Sequence, residues 1–210
     1  MRHILKASEP DELRRWRASG NENWTPTYED LRPSLKAIVK GALLAEQGFV
    51  CCYCERRIAA EIRGLEASHI EHLVPQSVDE TRDLDYGNLL CSCSSPPAQH
   101  CGERRGAQDL PIHPLQPDCE AAFLFGSDGS ISPSSGPRRG KSAATIATLG
   151  LDVAPLRDVR RRALGYFLEH VGDLPPAQWI SEASRLRSKD AQGRFVPHAT
   201  SVANIIERAG

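Results

Sequence analysis

Apolar residues at helical spacing mark both ends of the chain and leave its middle without a regular pattern. Leu35, Ile38, Val39, Ala42 and Leu43 follow Pro33 at intervals of one helical turn or its complement. Gly48 closes the run, so an amphipathic helix is predicted there. A shorter helix is predicted over 8–19, with Ser8 as its cap, Pro10 at its start and Asp11 in its first turn. A polar, turn-rich connector containing Trp24 joins the two. Towards the other end, Ser142 is the expected cap of a short helix that Gly150 stops. Leu156, Val159, Ala163, Leu164, Phe167, Leu168 and Val171 form a second amphipathic stripe ended by Gly172. Pro175 opens a helix to about Ser188, and a last one is expected between Pro197 and Arg208. Phe123-Leu124-Phe125 reads as a strand leading into a Gly/Ser/Pro-rich loop or hairpin over Ser127 to Lys141.

The stretch from Phe49 to about Pro117 has a different character. It holds His69, His72, His100 and His113 and most of the cysteines, with few periodic segments. A stretch so poor in apolar pattern needs another source of stability, and a bound metal is the first candidate. The whole chain has 210 residues, enough to bury a core without disulfides. With 40% hydrophobic and 25% charged residues it is neither disordered nor fibrous. A net charge of −1 excludes a uniformly basic nucleic-acid coat and leaves room for local basic patches. No apolar run nears the roughly 20 residues of a membrane span, and no signal sequence opens the chain. A cytoplasmic location, with reduced thiols, is therefore expected.

Six of the seven cysteines lie between Cys51 and Cys101. Cys51 and Cys54 have the C-x-x-C spacing that brings two thiolates to one tetrahedral zinc. A redox pair shares that spacing but leaves the later cysteines unexplained. Cys91, Cys93 and Cys101 are available for a second pair, Cys91 being an alternative to Cys93. Pro96-Pro97 should force a loop before Cys101. Cys52 and Cys91 read as small buried hydrophobes. Between the pairs runs Ser68-His69-Ile70-Glu71-His72-Leu73-Val74-Pro75. On a strand, alternation places His69 and Glu71 on one face and His72 on the other. An imidazole beside a carboxylate suits a divalent cation plus a general base. Asn88 follows in a turn-like Asp85-Tyr86-Gly87-Asn88 segment.

The order Cys-x-x-Cys, Glu-His-x-x-Pro, Asn-Leu-Leu, Cys and His-Cys-x-x-x-Arg-Gly resembles the zinc-bearing HNH endonucleases. A longer pattern, including Ile4, Lys6, Pro10, Leu13, Trp24, Ile112 to Glu120 and Thr145 to Leu151, is similar to the PtuB family. That family comprises the HNH effectors of Septu-type and retron-associated anti-phage systems. The similarity covers about residues 1–170.

The resemblance implies an α+β fold: a ββα-metal finger with structural zinc, embedded in a mainly helical chain. Residues 1–48 would be a helical arm, 49–120 the nuclease core and 121–210 a helical C-terminal region. His72 takes the general-base position by its spacing to Pro75, and Glu71 takes that of a ligand to catalytic Mg²⁺ or Mn²⁺. Asn88 is the loop-bracing Asn, and Cys51, Cys54, Cys93 and Cys101 hold the zinc. The family commonly places His or Asn directly after the final Cys, where this chain has Gly102. His100, His113 or a water could supply the missing ligand, and His69 would be a neighbour of the site. Arg104 and Arg105 are candidate phosphate contacts. Arg138, Arg139 and Lys141, and Arg157 with Arg160 to Arg162, are further basic clusters, the last also readable as a solvated helix face.

The implied activity is metal-dependent hydrolysis of phosphodiester bonds in DNA or tRNA, as a toxic effector of anti-phage defence. The implied partners are nucleic acid, a PtuA-like ABC/SMC-type ATPase and, in some systems, a retron reverse transcriptase with its RNA and DNA. No membrane is involved. Two rival readings are a catalytically inactive zinc module and a stand-alone restriction-type endonuclease.

Overall fold

Helices at both ends pack around a small mixed centre. The structure is a computed structural model that describes residues 1–59, 61–62, 65–94 and 99–209. Pro96 and Pro97 lie outside the described residues.

Helix α1 (Asp11–Arg17) is shorter than its pattern suggests. Ser8 stays outside it; Pro10 starts the helix and no side chain caps it. Trp16 closes the arm by stacking edge-on against Trp24, ring centres 5.2 Å apart. Helix α2 (Pro33–Glu46) forms where predicted and buries Val39, Leu43 and Leu44. Behind it, the buried Gln47 amide donates to the carbonyls of Val50 and Cys91 and accepts from the Cys91 N–H. The next residue, Gly48, has φ +61°, and Phe195 packs so closely on it that a Cβ has no room.

A two-residue pair, β1 (Glu61–Ile62) and β2 (Leu65–Glu66), precedes the central strands. Strand β3 (Ser68–His72) pairs antiparallel with β4 (Leu89–Cys93), from Ser68 opposite Cys93 to His72 opposite Leu89. Every residue of β4 is buried. The connection makes 3-10 turns at Glu80–Arg82 and Tyr86–Asn88. A five-residue helix, α3 (Cys101–Arg105), follows. Strands β5 (Phe123–Phe125) and β6 (Ile131–Pro133) form the hairpin suggested by their turn-rich link.

Helix α4 (Arg139–Leu149) starts three residues before the expected cap. Ser142 is buried inside it, and its hydroxyl donates to the Arg138 carbonyl one turn back. Gly150 ends α4 in the left-handed conformation. Helices α5 (Ala154–Val171), α6 (Pro176–Arg185) and α7 (Ala199–Ala209) complete the chain. The main core runs from Met1 to Leu156 and draws on α1, α2, the cysteine turn, β4, β5, β6, α4 and the start of α5. A second cluster joins Leu164, Phe167 and Val171 of α5 to Ala183 of α6 and Val202, Ala203 and Ile206 of α7.

Three arginines of α5 make surface ion pairs and one is buried. Arg157 pairs with Asp152, and Arg161 and Arg162 pair with Asp158. Arg160 is buried and donates to the carbonyls of Gly129 and Leu151. In the preceding loop Arg138 pairs with Asp118. No helix among the described residues is long and apolar enough to cross a membrane.

His198, just before α7, gives the fold an acid-sensitive point. Burial, offset in part by the Glu55 charge and reinforced by Arg160, pushes its pKa down to about 4. In the unfolded chain it protonates near the ordinary value of about 6.5. The neutral ring thus stabilises the fold fully above pH 6.5, and that contribution disappears as pH falls through 4. The swing is about 3 kcal/mol. His198 has φ +59°, which Asn tolerates well. Urea unfolding of wild type and His198→Asn from pH 7 to 4 is expected to show wild type losing about 3 kcal/mol more than the variant. Parallel curves would rule the mechanism out.

Candidate active site

Two groups of polar side chains gather around the β3–β4 pair. The first is the cysteine cluster. Cys51 and Cys54 come from the turn after α2, Cys93 from the end of β4 and Cys101 from the first position of α3. All four are buried, and their sulfurs lie within 4.8 Å of one another. Cys51 and Cys101 sulfurs are 3.8 Å apart, as are those of Cys54 and Cys93. A tetrahedron with zinc–sulfur bonds of about 2.3 Å has edges of about 3.8 Å. The four cysteines could therefore hold a zinc ion with little movement.

The surroundings suit thiolates. The Cys93 N–H donates to Cys51 sulfur at 3.3 Å. His100 Nδ1 lies 3.3 Å from Cys101 sulfur and 3.7 Å from that of Cys93. Burial opposes charge on Cys51, yet hydrogen bonds from Cys101, Cys52, Cys54 and Cys93 hold its pKa well below the thiol norm. Burial and those same neighbours push Cys101 up. One thiolate among thiols is what a proton-loaded cluster adopts, and a cation that binds all four must displace the remaining protons. Cys52 and Cys91 stand outside this group, both buried with raised pKa values.

The second group is built on Glu71. Alternation along β3 puts His69 and Glu71 together, with His69 Nε2 and Glu71 Oε2 3.2 Å apart. Glu71 Oε1 accepts from the Tyr53 hydroxyl at 2.9 Å and from Arg105 Nη1 at 2.8 Å. Arg105 also donates to the carbonyls of His72, Leu73 and Gln108. Burial weakens a lone guanidinium, but Tyr53 and Glu71 more than offset that and raise the Arg105 pKa. Oxygen Oε1 is thus tied to the fold, and Oε2 pairs with His69 Nε2. One such oxygen fits a divalent cation that keeps water and substrate oxygens as its other ligands.

Gly102 faces this pair. A Cβ there would overlap Glu71 Oε2 and come within 2.7 Å of His69 Nε2. The absence of a side chain at Gly102 makes room for both groups. Gly102→Ala is expected to push the carboxylate away from His69, with an overpacking cost of about 1–3 kcal/mol. A lowered melting temperature checks it, and a variant that melts with wild type would mean that the carboxylate yields without cost.

His72 points to the other face of β3. Its Nε2 lies 3.0 Å from the Asp83 carbonyl oxygen. A carbonyl only accepts, so Nε2 carries the proton and Nδ1 holds the lone pair of the neutral ring. Tyr28 meets the ring edge-on, centres 4.6 Å apart, and the Tyr28 N–H donates to the Asp83 carboxylate. Burial lowers the His72 pKa, so the ring is neutral at pH 7. Asn88 is fully buried. It accepts from the Val74 N–H at 2.7 Å and donates to the carbonyls of Val74 and Arg82. Those bonds fix both ends of the loop that carries Asp83.

Not every residue singled out in the sequence gathers here. Among the described residues the four cysteines are the group that could supply three or more ligands to one ion. Glu71, His100 and His113 are not brought together in that way. His100 packs on the cysteine cluster, and His113 is half-buried with its Nδ1 unpaired. Arg104 and Arg105 part company. Arg104 is exposed, whereas Arg105 is 1% exposed and turned onto Glu71, out of reach of a phosphate backbone. Tyr53 was not foreseen as part of the site; its one sequence signal is its place inside the Cys-x-x-Cys turn.

No family model matches the chain. Over 138 residues it is 28% identical to a protein of Vibrio cholerae serotype O1 biovar El Tor named "Retron Vc95 putative HNH endonuclease". The likeness covers 62% of this chain and 65% of that protein. It supports an HNH endonuclease reading at family level and, with the cysteine cluster, an HNH-type fold of mixed helix and strand.

Proposed function

We propose that this protein is a metal-dependent HNH endonuclease that hydrolyses phosphodiester bonds of nucleic acid. The observation that carries the reading is the fixed His72: Nε2 bound to the Asp83 carbonyl, on a loop pinned by Asn88. In this reading β3, β4 and α3 form the ββα-metal finger, and Cys51, Cys54, Cys93 and Cys101 hold a structural zinc that ties it together.

Each residue then has a task. His72 Nδ1 takes a proton from the attacking water, and the neutral ring is ready for it at pH 7. Asp83 and Tyr28 keep the ring in that orientation. Asn88 is a positioning residue that acts through the loop. Glu71 Oε2 offers an oxygen to catalytic Mg²⁺ or Mn²⁺, while Arg105 and Tyr53 hold the carboxylate still. When bound, that cation supplies charge stabilisation at the scissile phosphate and the leaving 3′ oxygen. Arg104 is exposed at the end of α3 and suits a phosphate contact. His100 and His113 are retained as weaker candidates for the same cation.

The name of the Vibrio relative supports a nuclease role in a retron setting; the assignment to anti-phage defence as a PtuB-type toxic effector rests on the motif order of this sequence. An ABC/SMC-type ATPase of the Septu kind would gate it, and a retron reverse transcriptase with its RNA and DNA would complete some assemblies. A second reading, a zinc module without catalysis, is favoured by one observation: Glu71 is buried and ion-paired to Arg105. The test is a cleavage assay with Mg²⁺ or Mn²⁺ on plasmid, single-stranded DNA and total tRNA, with and without the ATPase. Cleavage that needs the ATPase supports the gated effector, and cleavage without it the stand-alone enzyme. A folded, zinc-loaded protein that cuts nothing under either condition supports the inactive module.

A further inference from the structure

Gly102, the second residue of α3, leaves a cradle that a side chain would fill. What occupies the space in front of it is His69 Nε2, beside Glu71 Oε2. We infer that His69 joins Glu71 as a direct ligand of the catalytic divalent cation. The inference rests on the HNH reading of Glu71 and His72.

Three observations carry it. First, the two donor atoms are 3.2 Å apart, close to the spacing of neighbouring ligands on a cation with bonds of about 2.1 Å. Second, the cradle is specific: a Cβ at Gly102 would strike both donors, so the side-chain deletion on α3 and the histidine on β3 complement each other in space. Third, Glu71 is oriented for the task. Arg105 and Tyr53 both bind Oε1 and leave Oε2 facing His69. His69 itself is about a quarter exposed at its side chain, which leaves a path for water and substrate oxygens. An imidazole nitrogen also shifts the preferred metal. A site with one nitrogen donor suits Mn²⁺ and later transition ions better than an all-oxygen site does.

The experiment uses the full, zinc-loaded chain and Mn²⁺ as probe, followed by electron paramagnetic resonance. Wild type is expected to bind one Mn²⁺ beyond the zinc, with a nitrogen hyperfine coupling from a directly bound imidazole. His69→Ala should weaken Mn²⁺ binding at least tenfold and abolish the coupling, with zinc content and melting temperature preserved. His69→Asp should recover affinity without the nitrogen signal. Unchanged Mn²⁺ affinity and coupling in His69→Ala would overturn the inference, as would a wild type that binds no Mn²⁺. The nuclease reading is judged separately by His72→Ala, which should keep the Mn²⁺ signal and lose cleavage. If His69→Ala alters nothing while His72→Ala stops cleavage, the ligand inference fails and the nuclease reading stands. If Mn²⁺ binds through His69 and no nucleic acid is cut, the reverse holds.

Discussion

Cys54→Ser is expected to yield a protein that neither binds zinc nor folds. The four sulfurs come from three places in the chain: the turn after α2, the end of β4 and the start of α3. None of these elements is stable alone. A helix of five residues is far below the roughly 12–15 at which isolated helices become marginal, and two five-residue strands make a marginal hairpin. Cys101 also sits at φ +62°, a conformation that costs a non-glycine residue about 1–3 kcal/mol. A cation gripping its sulfur offsets that cost. Structural zinc contributes about 10–16 kcal/mol in small zinc-finger peptides. A whole domain is stable by only about 5–15 kcal/mol, so losing the ion is enough to unfold the centre. Native mass spectrometry should find no zinc in the variant, and circular dichroism no cooperative transition. Chelator treatment of wild type should give the same result, with proton uptake by the released thiolates. A soluble, zinc-replete, cooperatively melting Cys54→Ser would count decisively against the structural role.

Sequence patterning was informative where one element decides the outcome, and less so where several elements meet. The stripe from Leu35 to Leu43 locates α2 because burial of one helical face suffices to fix it. Alternation along β3 separates Glu71 from His72 because successive side chains of a strand point to opposite faces. The choice between Cys91 and Cys93 was open to spacing alone. It is resolved by position along β4: Cys93, at the strand's end, meets the Cys54 sulfur, whereas Cys91, two residues back on the same face, lies against the Lys40 carbonyl. The partners of Glu71 were beyond sequence reasoning altogether. Tyr53 and Arg105 are 18 and 34 positions away from it, and only the packing of the cysteine turn and α3 on β3 unites them. Arg105 shows the hazard most plainly. Two adjacent arginines look equivalent in a basic run, yet a helix sends neighbours about 100° apart, so one faces solvent and the other the interior. Ser142 likewise fits a cap by residue type, but α4 starts earlier, at Arg139, without a side-chain cap.

His72→Ala is expected to reduce cleavage by about 10²–10⁴-fold, the usual contribution of a positioned general base. The structural cost should be small by comparison. The substitution removes one hydrogen bond to the Asp83 carbonyl and the edge contact with Tyr28. Losing the bond costs about 1 kcal/mol, or up to about 3 if the carbonyl stays dry. The loop keeps its other anchors, since Asn88 holds Val74 and Arg82 independently of His72. Activity should therefore collapse while zinc content, Mn²⁺ binding and circular dichroism hold. The pH profile gives a sharper check. Burial lowers the His72 pKa from its ordinary value, so the acid limb of wild-type kcat should fall off below pH 6.5, not above it. The residual activity of His72→Ala should lack that limb and be rescued in part by added imidazole, which can occupy the vacated space as a diffusible base. An acid limb that survives in the variant would assign the titrating base to another group, with the partly exposed His69 the first to test. Full activity in a folded His72→Ala would remove the HNH mechanism from this protein.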